Sequence, residues 1–414
     1  MVEKAHEDTI NIISPDYMPD KYRWVMLALL WLLYMSFGAI VRSLSPLVTP
    51  ILADLKMSYS QMGLVMGSWQ LTYIGAAFAA GFLIDKWGIR KALFSGAVVI
   101  ALSAGLRYFS QGFGTFLPVV ALFGLGGPMI STGCPKTISM WFRGRERGTA
   151  VGIYTTGPWI GGIIVLAATN RWIMPLTGHS WRLTFAFYGA LVLAVAIIWW
   201  LLAKDLETTE SSADIAMRSI FLRLIRVRNV QIALGLGLLT FAVIHSFIGW
   251  LPKILENNGF SPSMAGYLSS IPLLAGVPAV LIFPRIIPSH RRKAAITLTA
   301  LVMLASIWMF FNLTGALAFT GLFLYGIGSC TLVPVITLIL MDTPQVGPEY
   351  MGSASGLFFC ISEIGGFLAP LVIGILVDWT GGFAAAGYFM AALCLAIFGL
   401  SFLLEGLRTM FVSP

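Results

Sequence analysis

Four ionisable side chains stand inside long apolar stretches of the chain: Arg42, Lys136, His245 and Glu363. A charge at the centre of a bilayer costs ~2.5 to 3.5 kcal/mol on insertion scales, so each is a functional candidate by default. Arg42 follows Trp24 by 18 residues, which is ~27 Å along a helix and too deep for its head to reach the near interface. Its planar guanidinium fits a carboxylate, phosphate or sulfonate in bidentate fashion. His245 could bind the same ligand or take up a proton. Glu363 has no Lys or Arg within a turn, and a buried carboxyl without a cationic partner suits proton exchange. Lys136, in "GCPKTISMWF", is either a second anion contact or a cation reaching for headgroups. Each has a plain structural reading too: an ion pair at a helix end for Arg42, hydrogen-bonded packing for His245 and Glu363. Trp69, Tyr73, Tyr154, Trp250 and Tyr325 could line an amphipathic cavity, although aromatic rings serve packing as readily. Arg107 is a weaker candidate, at the outer end of its apolar stretch.

The elements that carry these residues follow from composition. Of 414 residues, 58% are hydrophobic and 11% charged, far below the roughly 25% charged residues of a soluble domain. A bilayer core takes about 20 apolar residues of helix. The apolar runs are continuous rather than alternating, so they read as helices. They span about 24 to 52, 61 to 84, 92 to 110, 115 to 141, 149 to 170 and 183 to 203, then 230 to 255, 264 to 284, 294 to 312, 316 to 341, 352 to 376 and 383 to 403. The expected class is therefore all-α integral membrane with 12 transmembrane helices. Nineteen of the 26 Lys and Arg residues gather in the loops of one side, which makes both termini cytoplasmic by the positive-inside rule. The expected organisation is a cytoplasmic tail over 1–20, a six-helix bundle over 21–203, a linker over 204–229, a second bundle over 230–403 and a tail over 404–414. The linker closes with the basic amphipathic "IAMRSIFLRLIRVRN", suited to lying on an anionic leaflet.

Several classes drop out. The net charge of +8 sits in short loops where membrane orientation explains it, so no nucleic-acid partner is expected. The four cysteines lie in apolar segments without CxxC spacing and read as small buried hydrophobes. No GxSxG, HExxH or P-loop appears, so neither enzyme chemistry nor a cofactor or metal is expected. A monomer in the bilayer is the expected state.

An internal repeat runs through the chain. "GTAVGIYTTGPWIGG" at 148–162 and "GSASGLFFCISEIGG" at 352–366 share Gly148/Gly352, Ala150/Ala354, Gly152/Gly356 and the Ile-Gly-Gly triplet at a constant offset of 204. "IDKWGIRKA" at 84–92 is echoed by "IIPSHRRKA" at 286–294. Duplication predicts two pseudo-symmetric six-helix bundles with a solute site between them near mid-membrane. The glycines let helices pack closely.

"GFLIDKWGIRK", Gly81 to Lys91, matches the pattern G-x-x-x-D-[RK]-x-G-x-[RK]-[RK] at every defined position, and with the twelve helices and the repeat the chain resembles the major facilitator superfamily. The resemblance implies secondary transport by alternating access, and a gating role for Gly81, Asp85, Lys86, Gly88, Arg90 and Lys91, the Asp capping a neighbouring helix N-terminus and pairing with basic residues. The second copy has Ile287 and His290 in place of the Asp and Gly. A first helix with an early "RW" and a deep Arg is similar to the anion:cation symporter and organophosphate antiporter branches, in which that Arg binds the substrate's anionic group. Val41 stands where the symporters have Asp, and where the antiporters have a second Arg in the seventh helix the repeat places His245 and Ser246 opposite Val41 and Arg42. A singly charged carboxylate or sulfonate, monocarboxylate-like, fits best, with protons or a counter-anion as coupling partner. The alternatives are a uniporter or exchanger, and proton-driven efflux of hydrophobic drugs, since "GPWIGG" is similar to a drug-antiporter motif; Val120 occupies the place of that group's Arg.

Overall fold

The computed structural model describes residues 21–205 and 223–404. The tail at 1–20, the stretch 206–222 with most of the amphipathic linker, and 405–414 lie outside the described residues. Twelve long helices run through the rest: α1 Tyr22–Leu55, α2 Tyr59–Trp87, α3 Ile89–Phe109, α4 Phe113–Trp141, α5 Glu146–Leu176, α6 Trp181–Leu202, α7 Arg228–Asn257, α8 Pro262–Phe283, α9 Ser289–Asn312, α10 Gly315–Asp342, α11 Tyr350–Thr380 and α12 Ala384–Ser401.

Eleven of these are long and apolar enough to cross a membrane. The exception is α2, whose 29 residues suffice in length. Its middle carries Ser68, Gln70, Thr72 and Tyr73, which turn towards protein: Ser68 and Gln70 are buried, Thr72 donates to Ala121 O, and the Tyr73 hydroxyl bonds Ser131 at 2.6 Å. A helix that faces neighbours rather than lipid has no need of continuous apolarity.

Prolines bend the helices near the middle. α1 stops being α-helical at Arg42 and passes through a 3-10 turn at Ser45–Leu47 that holds Pro46. α5 is interrupted at Thr156, two residues before Pro158, and again by a π-turn at Thr169–Ile173.

Packing repeats between the halves. α1 lies on α5 as α7 lies on α11, α2 on α4 as α8 on α10, α3 on α4 as α9 on α10, and α3 on α6 as α9 on α12. The same pairings, six helices apart, are the pseudo-twofold expected of a duplication. Two seams join the halves, α2 with α11 and α5 with α8. Along them a Cβ on Gly63 would stand 2.3 Å from Pro370 O, one on Gly374 2.2 Å from Tyr59 O and one on Gly266 2.3 Å from Leu166 O. These glycines bring backbone against backbone.

The seams are tight towards the end opposite the basic loops. There the Tyr59 and Ser60 amides donate to the Asp378 carboxylate at 3.0 and 2.8 Å, Thr49 bonds Glu256, and Asn170 Nδ2 reaches Pro262 O at 3.2 Å. Towards the basic end, Gly75 of α2, Gly152 of α5 and Gly356 of α11 would meet nothing within 4 Å, and Phe359 is 42% exposed. The halves part there, so the interior opens on the basic side.

Candidate functional site

The site forms where the seams begin to part. α1 delivers Arg42 as the last residue of its first stretch, Tyr22–Arg42. Val41, Arg42, Ser45, Trp69, Gln70 and His245 are among the residues around a cavity of about 20 Å³, room for about one water. Arg42 lies within electrostatic reach of Glu363 on α11 and of Tyr325 and Cys330 on α10. Among the described residues its guanidinium has no hydrogen bond and no ion pair.

Across the seam, His245 Nε2 stands 3.9 Å from Glu363 Oε2. Gln70 of α2 reaches into this pair: its Nε2 donates to Gly366 O at 3.3 Å and lies 3.4 Å from His245 Nδ1. Gln70 Oε1 and Glu363 Oε2 are both buried without a hydrogen-bond partner among the described residues. An unsatisfied buried acceptor costs ~1 to 3 kcal/mol, so these two oxygens are the places where an added proton or a cargo hydrogen would be gained most.

The repeat glycines make this arrangement fit. A Cβ on Gly162 would lie 3.1 Å from Arg42 Cγ, and one on Gly366, its repeat mate, 3.1 Å from His245 Cδ2, 3.2 Å from Glu363 Oε2 and 3.3 Å from Gln70 Nε2. Each half therefore omits a side chain where its polar group packs against the helix backbone. The preceding pair, Gly161 and Gly365, gives the close helix approach expected of them, at 2.1 Å from Met35 O and 2.0 Å from Leu238 O.

The other sequence candidates scatter. Trp69 stays at the site, its ring 5.9 Å from those of both His245 and Tyr73. Tyr154 faces Tyr34 of α1 at 5.9 Å. Tyr325 is wholly buried, donating to Val243 O at 3.2 Å and lying against Phe247 at 4.2 Å. Trp250 is spent on the closed side, donating to Pro370 O at 3.1 Å. Lys136 is not among the residues around the cavity; its ammonium pairs with Asp85, an acid 51 residues away in sequence. Arg107 is enclosed by Ser43 and Ser103 hydroxyls at 3.3 and 3.5 Å and by the Phe185 ring at 4.7 Å.

In the gating motif Asp85 pairs with the basic Lys136, and the start of α3 has a cap of its own. The amide of Arg90, in the first turn of α3, donates to Asp205 at 2.8 Å, so Asp205 and not Asp85 caps this helix. The Arg90 guanidinium donates to Trp200 O and lies 4.8 Å over the Trp200 ring. Gly88 takes φ +78° between α2 and α3, a conformation open chiefly to glycine. Lys86 approaches the Phe82 ring at 5.9 Å, and Gly81 and Lys91 are exposed.

Sequence reasoning missed Gln70, Tyr34 and Phe37. An amide in the middle of the least apolar helix, next to Trp69, was the signal available for Gln70. No group of three His, Cys, Asp or Glu placed to hold a metal occurs among the described residues.

Comparison with known proteins adds a lineage. The Major Facilitator Superfamily is matched over residues 30–370. The chain is 24% identical over 396 residues to a hexuronate transporter of Bacillus subtilis, covering 90% of this chain and 92% of that one. It is 24% identical over 383 residues to a probable galactarate/D-glucarate transporter of Escherichia coli, covering 80% and 82%, and 23% identical over 404 residues to a probable sulfoacetate transporter of Cupriavidus necator, covering 88% and 89%. Among solved structures it is similar in fold to a bacterial homologue of the human lysosomal transporter Spinster in an inward-facing, occupied conformation, with TM-score 0.69, 16% identity and 92% and 93% coverage.

Proposed function

Since the chain belongs to the Major Facilitator Superfamily and is a membrane transporter, not an enzyme, we propose that its cargo is a small organic anion, carboxylate or sulfonate, held by Arg42. One observation carries the reading: a guanidinium within the membrane beside the central cavity, with no protein partner among the described residues. A cation costly to place there is retained where a ligand completes it. The relatives' names, hexuronate, galactarate/D-glucarate and sulfoacetate, support the same cargo class. A free intramembrane cation repels the hydrophobic cations that a drug-efflux pump would carry.

The basic end faces the cytoplasm under the positive-inside rule. Both termini then lie in the cytoplasm of a bacterial plasma membrane, and the state described opens inward. The anion meets Arg42 from that side, and the halves rock about the site so that the opposite end parts. His245 and Glu363 exchange the coupling proton, and Gln70 of α2, beside His245 Nδ1 and donating to Gly366 O, passes the change to the first half as a shift in its hydrogen bonds. Lys136 and Asp85, with the rest of the Gly81 to Lys91 loop, set the balance between the two states.

The test is thermal stabilisation of the purified protein by a panel of organic anions and hydrophobic cations, beside Arg42→Gln. A ligand raises folded-state stability by RT ln(1 + [L]/Kd). Stabilisation by anions that vanishes in the variant is the expected outcome. Stabilisation by hydrophobic cations in both proteins would replace this reading with efflux.

A further inference from the structure

Arg42 stands above a continuous belt of aromatic rings. On α5 and α1, Tyr154 lies 5.9 Å from Tyr34, which lies 5.6 Å from Phe37. Phe37 meets Trp69 of α2 at 6.5 Å, and Trp69 meets His245 of α7 at 5.9 Å. From there the belt continues to Phe241 at 5.5 Å and to Phe359 of α11 at 6.1 Å. It therefore crosses from the first half to the second at the level where the interior opens. Tyr34, Phe37 and Phe359 keep partly accessible faces.

The polar groups of this region are few and largely taken. Tyr73 bonds Ser131, and Trp31 Nε1 donates to Thr156 at 3.0 Å. The two other deep cations of the first half are committed: Lys136 to Asp85, Arg107 to two serines and a ring. One charge site is thus paired with a wall of π-faces. Among the described residues only two buried acceptors stand open there, Gln70 Oε1 and Glu363 Oε2, so a polyhydroxy diacid would bring more hydroxyls than they can satisfy and a second carboxylate with no Lys or Arg beside it, at ~1 to 3 kcal/mol for each polar group left unsatisfied. Aromatic surfaces instead gain from an aromatic body stacked or set edge-on at ring spacing.

We propose that the cargo is a monocarboxylate with an aromatic body, its carboxylate on Arg42 and its ring within the Tyr34–Phe37–Trp69 belt. This rests on the organic-anion reading above and narrows it. It sets this chain apart from relatives named for galactarate, D-glucarate and tartrate. The hydroxyls of Tyr34 and Tyr154 have no hydrogen bond among the described residues, and they offer one polar substituent on that ring a partner.

Purified protein in proteoliposomes is assayed for saturable counterflow of benzoate, lactate, L-tartrate and D-glucarate, with thermal shift in detergent as a second readout. Benzoate is expected to half-saturate at a concentration at least ~10-fold below that of lactate or tartrate, a difference of about 1.4 kcal/mol. The preference should be lost in Arg42→Gln. Phe37→Leu, which keeps apolar bulk, should lower the benzoate-to-lactate ratio, and an unchanged ratio would count against the belt. If tartrate or glucarate is preferred, and the preference depends on Arg42, the aromatic-body assignment falls while the anion reading stands. If no anion of any kind binds or exchanges, both fall.

Discussion

Arg42 and Arg107 border the same few residues of α1, yet the chain treats them in opposite ways. Arg107 comes from α3 and donates to Ser43 Oγ, the residue directly after Arg42. It is 1% exposed, with hydroxyls at two of its nitrogens and the Phe185 ring over its face. Arg42 has neither acid, hydroxyl nor carbonyl on its guanidinium among the described residues, and keeps contact with the cavity. A buried cation becomes part of the framework when its donors are filled by protein, and stays available when they are not. Depth in the membrane alone does not separate the two cases.

Four experiments would sharpen or break that contrast. The largest effect belongs to Arg42→Gln: counterflow of the anion falls by ~100-fold or more, about 2.7 kcal/mol of lost affinity, while the thermal unfolding midpoint holds or rises because an unpaired charge has left the membrane. Wild-type counterflow in this variant would make the two arginines alike. Arg107→Leu should do the reverse, costing ~1 to 3 kcal/mol of stability as two serines lose their donor while the Kd for cargo is kept, as read by ligand titration of the folded fraction. Next comes Arg42→Lys, which keeps charge but loses the fork; a ~10-fold rise in Kd is expected, and none would mean that simple charge suffices. Smallest is Glu363→Gln, which should leave exchange intact and flatten the pH dependence of net uptake. An unchanged pH profile would remove Glu363 from coupling.

How much of this was legible in the chain varies with the kind of contact. Helix spans follow from apolar runs that any bilayer demands, and the offset of 204 exposes the duplication. Within that frame Arg42 is conspicuous because it breaks an apolar run. Lys136 breaks one too, but its partner Asp85 sits on another helix, and no spacing in sequence reveals which way two helices are turned. α2 shows the limit from the other side. Its polar residues make it look like a weak span, whereas in the fold they make it the helix that touches both its own half and the other, through Thr72 and Tyr73 on one side and Gln70 on the other. The glycine pair Gly162 and Gly366 was visible as a repeat, yet its purpose, letting Arg42 on one side and His245 with Glu363 on the other pack against helix backbone, needed coordinates.

The carboxylate of Asp378 at the foot of the α2–α11 seam has a kinetic corollary. It takes two amide hydrogens in the first turn of α2, from Tyr59 and Ser60, and it belongs to the opposite half. Parting the seam removes it, while the capping box of Ser58 and Gln61, carried by α2 itself, keeps the helix from unravelling. Tyr59 and Ser60 should therefore trade hydrogen for deuterium at a rate set by how often this end opens, while amides one turn further along remain protected. Isotope uptake at that single turn would then time the carrier's cycle, whether or not the cargo is known.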